Sequence, residues 1–346
     1  MHDSQKLKPT FPRLYTIHSQ KGGVGKTTVS IAIAAWAAVY HKKRALIIDA
    51  DMTGVSLIDI PDWKGNAEVQ YFNDLILAKP NDFAKYGEIW FEKTANRSKD
   101  GIQKFCRRIP KWNKIKYMPA SPCFEDISKV VPLITQENFL KFFQHRLEDI
   151  IAMVIKDQYE VIIIDHPPGL HGISIASLNI TCNDSNDNKG KFEHKITKKS
   201  CSSHAILITT PDPPDYLALF PSLFCYLSGN EPDSIDIFLN KATMEARFDP
   251  PIAYQYIFDD LKEKTENSEF KDKREGITVE WINKVEAKAK NKGGLAGSFI
   301  PGFKLNDIFP TIKRIRENPS TTKRYGGIEG WCTQVGEMIG LYSSIK

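Results

Sequence analysis

Residues 14–40 read LYTIHSQKGGVGKTTVSIAIAAWAAVY, and this stretch decides the fold. Leu14 to His18 is a short β-prone run, and Val29 to Tyr40 has the Ala-rich, apolar composition of a buried helix. Between them lies a loop holding Gly22, Gly23 and Gly25, closed by Lys26, Thr27 and Thr28. Arg44 to Asp49, RALIID, supplies the next strand. Strand, glycine loop, helix and strand in that order open a parallel α/β sheet. Glycines let a backbone approach a polyphosphate with its N–H groups turned inward. The following helix N-terminus adds partial positive charge. A lysine placed like Lys26 reaches β/γ oxygens, and a hydroxyl placed like that of Thr27 suits Mg²⁺.

The standard phosphate loop, G-x-x-x-x-G-K-[ST], would need glycine at position 20, where this chain has Gln20. The octet Lys21-Gly22-Gly23-Val24-Gly25-Lys26-Thr27-Thr28 instead resembles the deviant Walker A motif, K-G-G-x-G-K-[ST]-[ST], of the ParA/MinD family of P-loop ATPases. The resemblance implies a mostly parallel β-sheet flanked by helices, with ATP and Mg²⁺ as cofactors. Gly22, Gly23, Val24, Gly25, Lys26, Thr27 and Thr28 would hold the nucleotide, and Lys21 would reach across a dimer interface to the partner's nucleotide.

Three further segments extend it. Ile48-Asp49-Ala50-Asp51 ends a strand in two carboxylates, where open parallel sheets bind ligands. By resemblance Asp51 orients or activates the attacking water, and Asp49 supports the magnesium shell. The next residues, Met52-Thr53-Gly54, depart from the family's Pro-Gln-Gly. Val161 to Asp165 is an apolar run ending in a carboxylate, followed by His166-Pro167-Pro168-Gly169. Asp165 has the Walker B placement for Mg²⁺, and Asp-x-Pro-Pro resembles the family's γ-phosphate switch. His166 stands where a small residue is common, and is read as structural. Asn240-Lys241-Ala242-Thr243 lacks the carboxylate that guanine recognition wants, which favours ATP over GTP, and the resemblance implies that Asn240 lies near the base. Phe299-Ile300-Pro301-Gly302 resembles a late loop beside the adenine, making Pro301 a nucleotide contact. The catalytic set implied is Lys21, Lys26 and Asp51, and the metal set is Thr27, Asp49 and Asp165.

Elsewhere the pattern is plainer. Helical spacing runs through Phe139, Phe143, Leu147, Ile150, Ile151 and Val154. Ala205–Thr210 and Ile235–Asn240 are strands, with a helix between them from about Asp215. Residues 61–134 look less regular, 181–202 look like an exposed polar loop, and 259–295 suggest a charged surface helix with apolar points at Val279, Ile282 and Val285. One elaborated domain over 1–346 is expected, with a core of about 14–245 and insertions at about 61–130, 181–202 and 259–295. The 346 residues carry 47 Lys+Arg against 42 Asp+Glu, a net +5 that does not by itself point to nucleic acid. Two local basic stretches do more: Lys93 to Lys116, and Lys304, Lys313, Arg314, Arg316, Lys323 and Arg324. Six scattered cysteines show neither a disulfide framework nor zinc spacing. With no apolar leader, a cytoplasmic protein is expected, nucleoid-associated if DNA is its track.

The resemblance implies a slow ATPase that dimerises on ATP binding. Positioning or segregating DNA or protein cargo would add non-specific DNA binding and an adaptor or DNA-binding partner that stimulates hydrolysis. Two alternatives stand beside it. Membrane positioning would need a basic amphipathic terminal helix. The C-terminal segment with Ile328, Trp331, Val335 and Met338 on one side has the pattern of core packing instead, so no membrane partner is expected. A regulatory or assembly module with little hydrolysis is the other, against which the presence of Asp49, Asp51 and Asp165 argues.

Overall fold

Short strands that are apolar on both faces need helices on both sides, and the chain supplies them. The computed structural model describes residues 11–53, 57, 70–77, 101–109, 111–134, 139–170, 172–181, 201–227, 235–241, 250–267, 277–291, 295–298, 304–319 and 327–342. Among the described residues eight strands form one sheet in the order β3-β4-β2-β5-β1-β6-β7-β8. They are β1 (Arg13–His18), β2 (Ala45–Asp49), β3 (Arg107–Arg108), β4 (Ile115–Met118), β5 (Val161–Asp165), β6 (Ser202–Thr209), β7 (Ile235–Asn240) and β8 (Leu295–Ser298). Of these eight, β3 alone runs antiparallel, at the edge beside β4. The register sets Ile17 and Asp49 each opposite Asp165, so β1, β2 and β5 end together.

Side-chain alternation splits the core into layers. Tyr15, Ile17, Ile47, Ile163, Ile206 and Ile208 face one side of the sheet. There α1 (Lys26–Ala35) lies under two C-terminal helices, α9 (Ile308–Glu317) and α10 (Gly327–Met338). Leu14, Leu46, Ile48, Ile162 and Ile164 face the other side. That side is covered by α2 (Phe72–Leu77), α3 (Phe124–Ile134), α4 (Leu140–Lys156) and α5 (Ile173–Thr181). Further along the same side α6 (Pro213–Leu227), α7 (Pro250–Glu266) and α8 (Val279–Asn291) enclose a third cluster.

The expected buried helix starts at Lys26 and passes into a π-helical turn over Trp36–Tyr40. The C-terminal segment is the core-packing helix its pattern predicted, with Trp331, Cys332 and Val335 fully buried. The region 61–134 is more regular than expected, since it holds α2, α3, β3 and β4, and β4 is a full member of the sheet beside β2. Four residues interrupted by Lys116 give too short an apolar run to be read as a strand. The charged stretch around 279–291 is helical as expected. Its Ile282 and Val285 are buried against Ile257, Phe258 and Leu261. The polar stretch 182–200, the basic residues 93–100, Lys323, Arg324 and the Phe299–Gly302 loop with Pro301 lie outside the described residues. Among the described residues no helix is long and apolar enough to cross a membrane.

Candidate nucleotide site

The glycine loop joins the end of β1 to the start of α1, and its shape needs glycine at two points. Gly23 has φ 73°, and Gly25, which precedes the first helical residue, has φ 100°. Both are left-handed values that a side chain disfavours. The end of β7 fixes the loop from one side. Asn240 Nδ2 donates to the Val24 carbonyl at 2.6 Å, and Lys241 Nζ to the Gly23 carbonyl at 2.7 Å. A trans peptide points its N–H opposite to its carbonyl. Holding these two carbonyls therefore turns the amides of Val24 and Gly25 away from β7, as an anion cradle requires.

Lys26 is mostly buried at the base of the loop, where its ammonium donates to Ser19 Oγ at 2.9 Å. Ser19 Oγ in turn donates to the Lys21 carbonyl at 2.7 Å. Burial lowers the Lys26 pKa, while the carboxylates of Asp165 and Asp51 oppose that shift. Asp165 is 2% exposed, and neither of its oxygens has a partner in hydrogen-bond geometry. Burial raises its pKa to about 6, against the lowering pull of the Thr27 hydroxyl and Lys26. Asp49, fully buried, is pushed to about 8 by burial first and by Asp165 second. Its oxygens accept from the Asp51 and Leu57 amides, each at 3.2 Å. Asp51 is half-buried and accepts from the Thr53 hydroxyl at 3.0 Å.

The C-terminal edge of the sheet thus brings together Lys26, Thr27, Asp49, Asp51 and Asp165. Among the described residues no three His, Cys, Asp or Glu side chains form a metal cage by themselves. Mg²⁺ is commonly held by one or two carboxylates together with substrate phosphates. The unpartnered Asp165 carboxylate beside the Thr27 hydroxyl offers the hard oxygen donors this needs.

Other placements differ from the sequence reading or add to it. Asn240 is fully buried, with its amide on the glycine loop and its Oδ1 accepting from Trp331 Nε1 at 3.4 Å. Here it braces the loop, 216 positions away in sequence. Lys21 points along its own subunit, its ammonium 3.0 Å from Asp215 Oδ1. Asp215 is itself held by the Thr210 hydroxyl. Sequence reasoning missed Ser19, Asp215 and Lys241, whose roles depend on contacts across the sheet edge. It also missed His18, which stacks on His166 at 4.6 Å and 10°. Both rings are fully buried, and their four nitrogens have no hydrogen-bond partner. The available signal was two histidines, one ending an apolar strand and one directly following another.

A protein-family model described as an AAA domain, of the ParA/MinD type, matches residues 13–185, half of the chain. An ATP complex of Cyanothece McdA aligns over 98% of this chain and 100% of its own, at 11% identity and a TM-score of 0.52. A ParA family ATPase from Chlorobium tepidum covers 93% of this chain and 98% of its own, at 16% identity and a TM-score of 0.49. The septum site-determining protein MinD of Pyrococcus horikoshii, with Mg-ADP, covers 96% and 99% at 17% identity and a TM-score of 0.45. At these identities the McdA likeness is one of fold. An uncharacterized protein of Pseudomonas putida is 27% identical over 166 residues, 48% of this chain and 52% of that protein. The chain thus spans about half the length of the curated relatives it matches. The match over the segment that holds the glycine loop, both carboxylate strand ends and the Asp-x-Pro-Pro turn is decisive: the chain belongs to the ParA/MinD family of deviant Walker A P-loop ATPases.

Proposed function

We propose that this chain is an ATP-hydrolysing, dimerising switch that positions or segregates DNA or protein cargo in the cytoplasm. The observation that carries the reading is the buried Asp165 carboxylate, left without a hydrogen-bond partner beside Lys26 and Thr27. In this reading the loop amides and Lys26 bind the β and γ phosphates. Thr27 and Asp165, supported by Asp49, hold Mg²⁺, which supplies charge neutralisation at the transferring phosphoryl group. Asp51, the more accessible of the strand-end carboxylates, orients the attacking water. Lys21 leaves Asp215 to reach the partner's nucleotide, which makes ATP a condition of the homodimer. An adaptor protein that stimulates hydrolysis and non-specific DNA as a track complete the cycle by family resemblance.

A single-turnover assay with Mg·ATP tests the chemistry. Asp51→Ala is expected to bind ATP near the wild-type affinity and to lose about 10²-fold or more in hydrolysis rate, the scale of a general-base contribution. Hydrolysis at the wild-type rate would remove Asp51 from the reaction. Absence of hydrolysis in the wild type as well would leave a nucleotide-binding assembly module in its place.

A further inference from the structure

Ser19 follows the last residue of β1 and is fully buried where the glycine loop begins. Three contacts meet on it. Its hydroxyl oxygen accepts from the Lys26 ammonium at 2.9 Å. The same hydroxyl donates to the Lys21 carbonyl at 2.7 Å. Its own carbonyl accepts from the Gly169 amide at 2.9 Å. Gly169 closes the Asp-x-Pro-Pro turn with φ 94°, and Pro168 Cγ lies 3.6 Å from where a Cβ on Gly22 would stand. One buried serine thus joins both lysines of the loop to the segment that follows Asp165.

The direction of this chain is fixed by its donors. A hydroxyl has one proton to give, and here it goes to the Lys21 carbonyl. An ammonium only donates, so Lys26 stands at the head. A charged donor makes the stronger bond, and it polarises the hydroxyl toward a better bond with the next acceptor. The charge of Lys26 therefore tightens the hold on the backbone of Lys21. Lys21 is held at both ends, its carbonyl by Ser19 and its ammonium by Asp215 at 3.0 Å. A polyphosphate competes for the Lys26 ammonium with full anionic charge, against which a neutral hydroxyl is the weaker acceptor.

We propose that Ser19 is a positioning residue that couples the filling of the phosphate loop to the release of Lys21. A bound phosphate draws the Lys26 ammonium off the hydroxyl. The hydroxyl then loses the charge that polarised it, and its grip on the Lys21 carbonyl weakens. The bond from Gly169 keeps the Ser19 backbone in place, so the change falls on the hydroxyl. Nucleotide in a subunit's own loop thereby frees the lysine that reaches for the partner's. The proposal rests on the reading above, in which Lys21 serves the partner's nucleotide, and adds the link between the two lysines within one subunit.

Ser19→Ala tests this on the full chain, with Ser19→Thr as the variant that keeps the hydroxyl. Calorimetry with Mg·ADP reads the Lys26 end in the monomer. Ser19→Ala should bind Mg·ADP about two- to tenfold tighter, since Lys26 no longer has a hydrogen bond to give up. Sedimentation with saturating Mg·ATP reads the Lys21 end. The Ser19→Ala dimer should form at protein concentrations about two- to tenfold lower than the wild-type dimer. The single-turnover hydrolysis rate of the assembled dimer should stay within about twofold of wild type, because Lys26 lies on phosphate in both. Ser19→Thr should keep the wild-type values. Ser19→Cys, a weak donor and acceptor of similar shape, should shift as alanine does but by less, and it carries the test if Ser19→Ala fails to fold. A merely structural role would instead weaken nucleotide binding and slow hydrolysis together. That result, or equal shifts in Ser19→Ala and Ser19→Thr, would overturn the proposal. Absence of an ATP-driven dimer in the wild type would refute the switch reading itself. A wild-type dimer that Ser19→Ala leaves unchanged would refute only the role of Ser19.

Discussion

At the scale of single residues, the nucleotide edge holds polar groups deep in the core. His18 and His166 are the extreme case, two stacked imidazoles between the strand that feeds the glycine loop and the strand that ends in Asp165. Burial, and secondarily the charge of Lys26, lowers the His18 pKa to about 3. The unfolded chain takes up that proton near pH 6.5, so a depressed base stabilises the fold above that pH and loses its contribution as pH falls toward 3. The difference is on the order of a few kcal/mol. Asp49 works in the opposite sense, because a carboxyl raised to about 8 is protonated in the fold where the unfolded chain has already lost its proton. The prediction is that, between pH 7.5 and pH 5, the melting temperature of His18→Phe, which keeps a ring against His166, falls less or rises more than that of the wild type, because both proteins share the carboxyl contributions. Equal changes in both proteins would mean the imidazole is not held neutral. None of this was legible beforehand. The sequence shows two histidines at the ends of two strands, and only the register of β1 against β5 puts their rings face to face.

At the scale of elements, legibility followed contiguity. The phosphate loop, β2, β5, β6 and β7 each announce themselves in an unbroken run. β4 does not, because Lys116 interrupts it within a basic stretch. α3 carries Pro132 inside it, which a helix reading would reject. β8, Leu-Ala-Gly-Ser, has no apolar pattern to find. The packing of α10 on α1 was legible only as an amphipathic stripe, although its tightest point is specific. Gly336 faces the indole of Trp36, whose Nε1 donates to the Cys332 carbonyl at 2.8 Å. A Cβ on Gly336 would lie 2.5 Å from Trp36 Cε2 and 2.8 Å from Cζ2. The ring is pinned further by Tyr40 and Tyr342, with centroids at 5.0 and 4.9 Å. Alanine is the better helix former by about 1 kcal/mol. Overpacking costs about 1–3 kcal/mol in a well-filled core. Because the indole has nowhere to move, Gly336→Ala is expected to destabilise by about 1–2 kcal/mol net, read as a lower midpoint in urea at unchanged slope. A variant more stable than the wild type would show the ring free to shift.

At the scale of the whole molecule, the nucleotide edge is incomplete in one chain if Lys21 serves its partner, and the ion pair with Asp215 then sets a threshold for assembly. Lys21 is 46% exposed and Asp215 15%, so the pair is screened and worth about 0.2–1 kcal/mol. A dimer in which both lysines cross over gives up two such pairs, or about 0.4–2 kcal/mol in all. Asp215→Asn removes the hold on Lys21 while keeping an acceptor for the Thr210 hydroxyl. ATP-dependent dimerisation should therefore appear at protein concentrations about two- to thirtyfold lower than in the wild type. Lys21→Ala should abolish it at unchanged monomer stability, and the double variant should behave as Lys21→Ala does. Analytical ultracentrifugation with Mg·ATP reads all three. If Asp215→Asn instead weakened the dimer, Asp215 would belong to the assembled interface, and the ion pair would be a resting contact of no regulatory consequence.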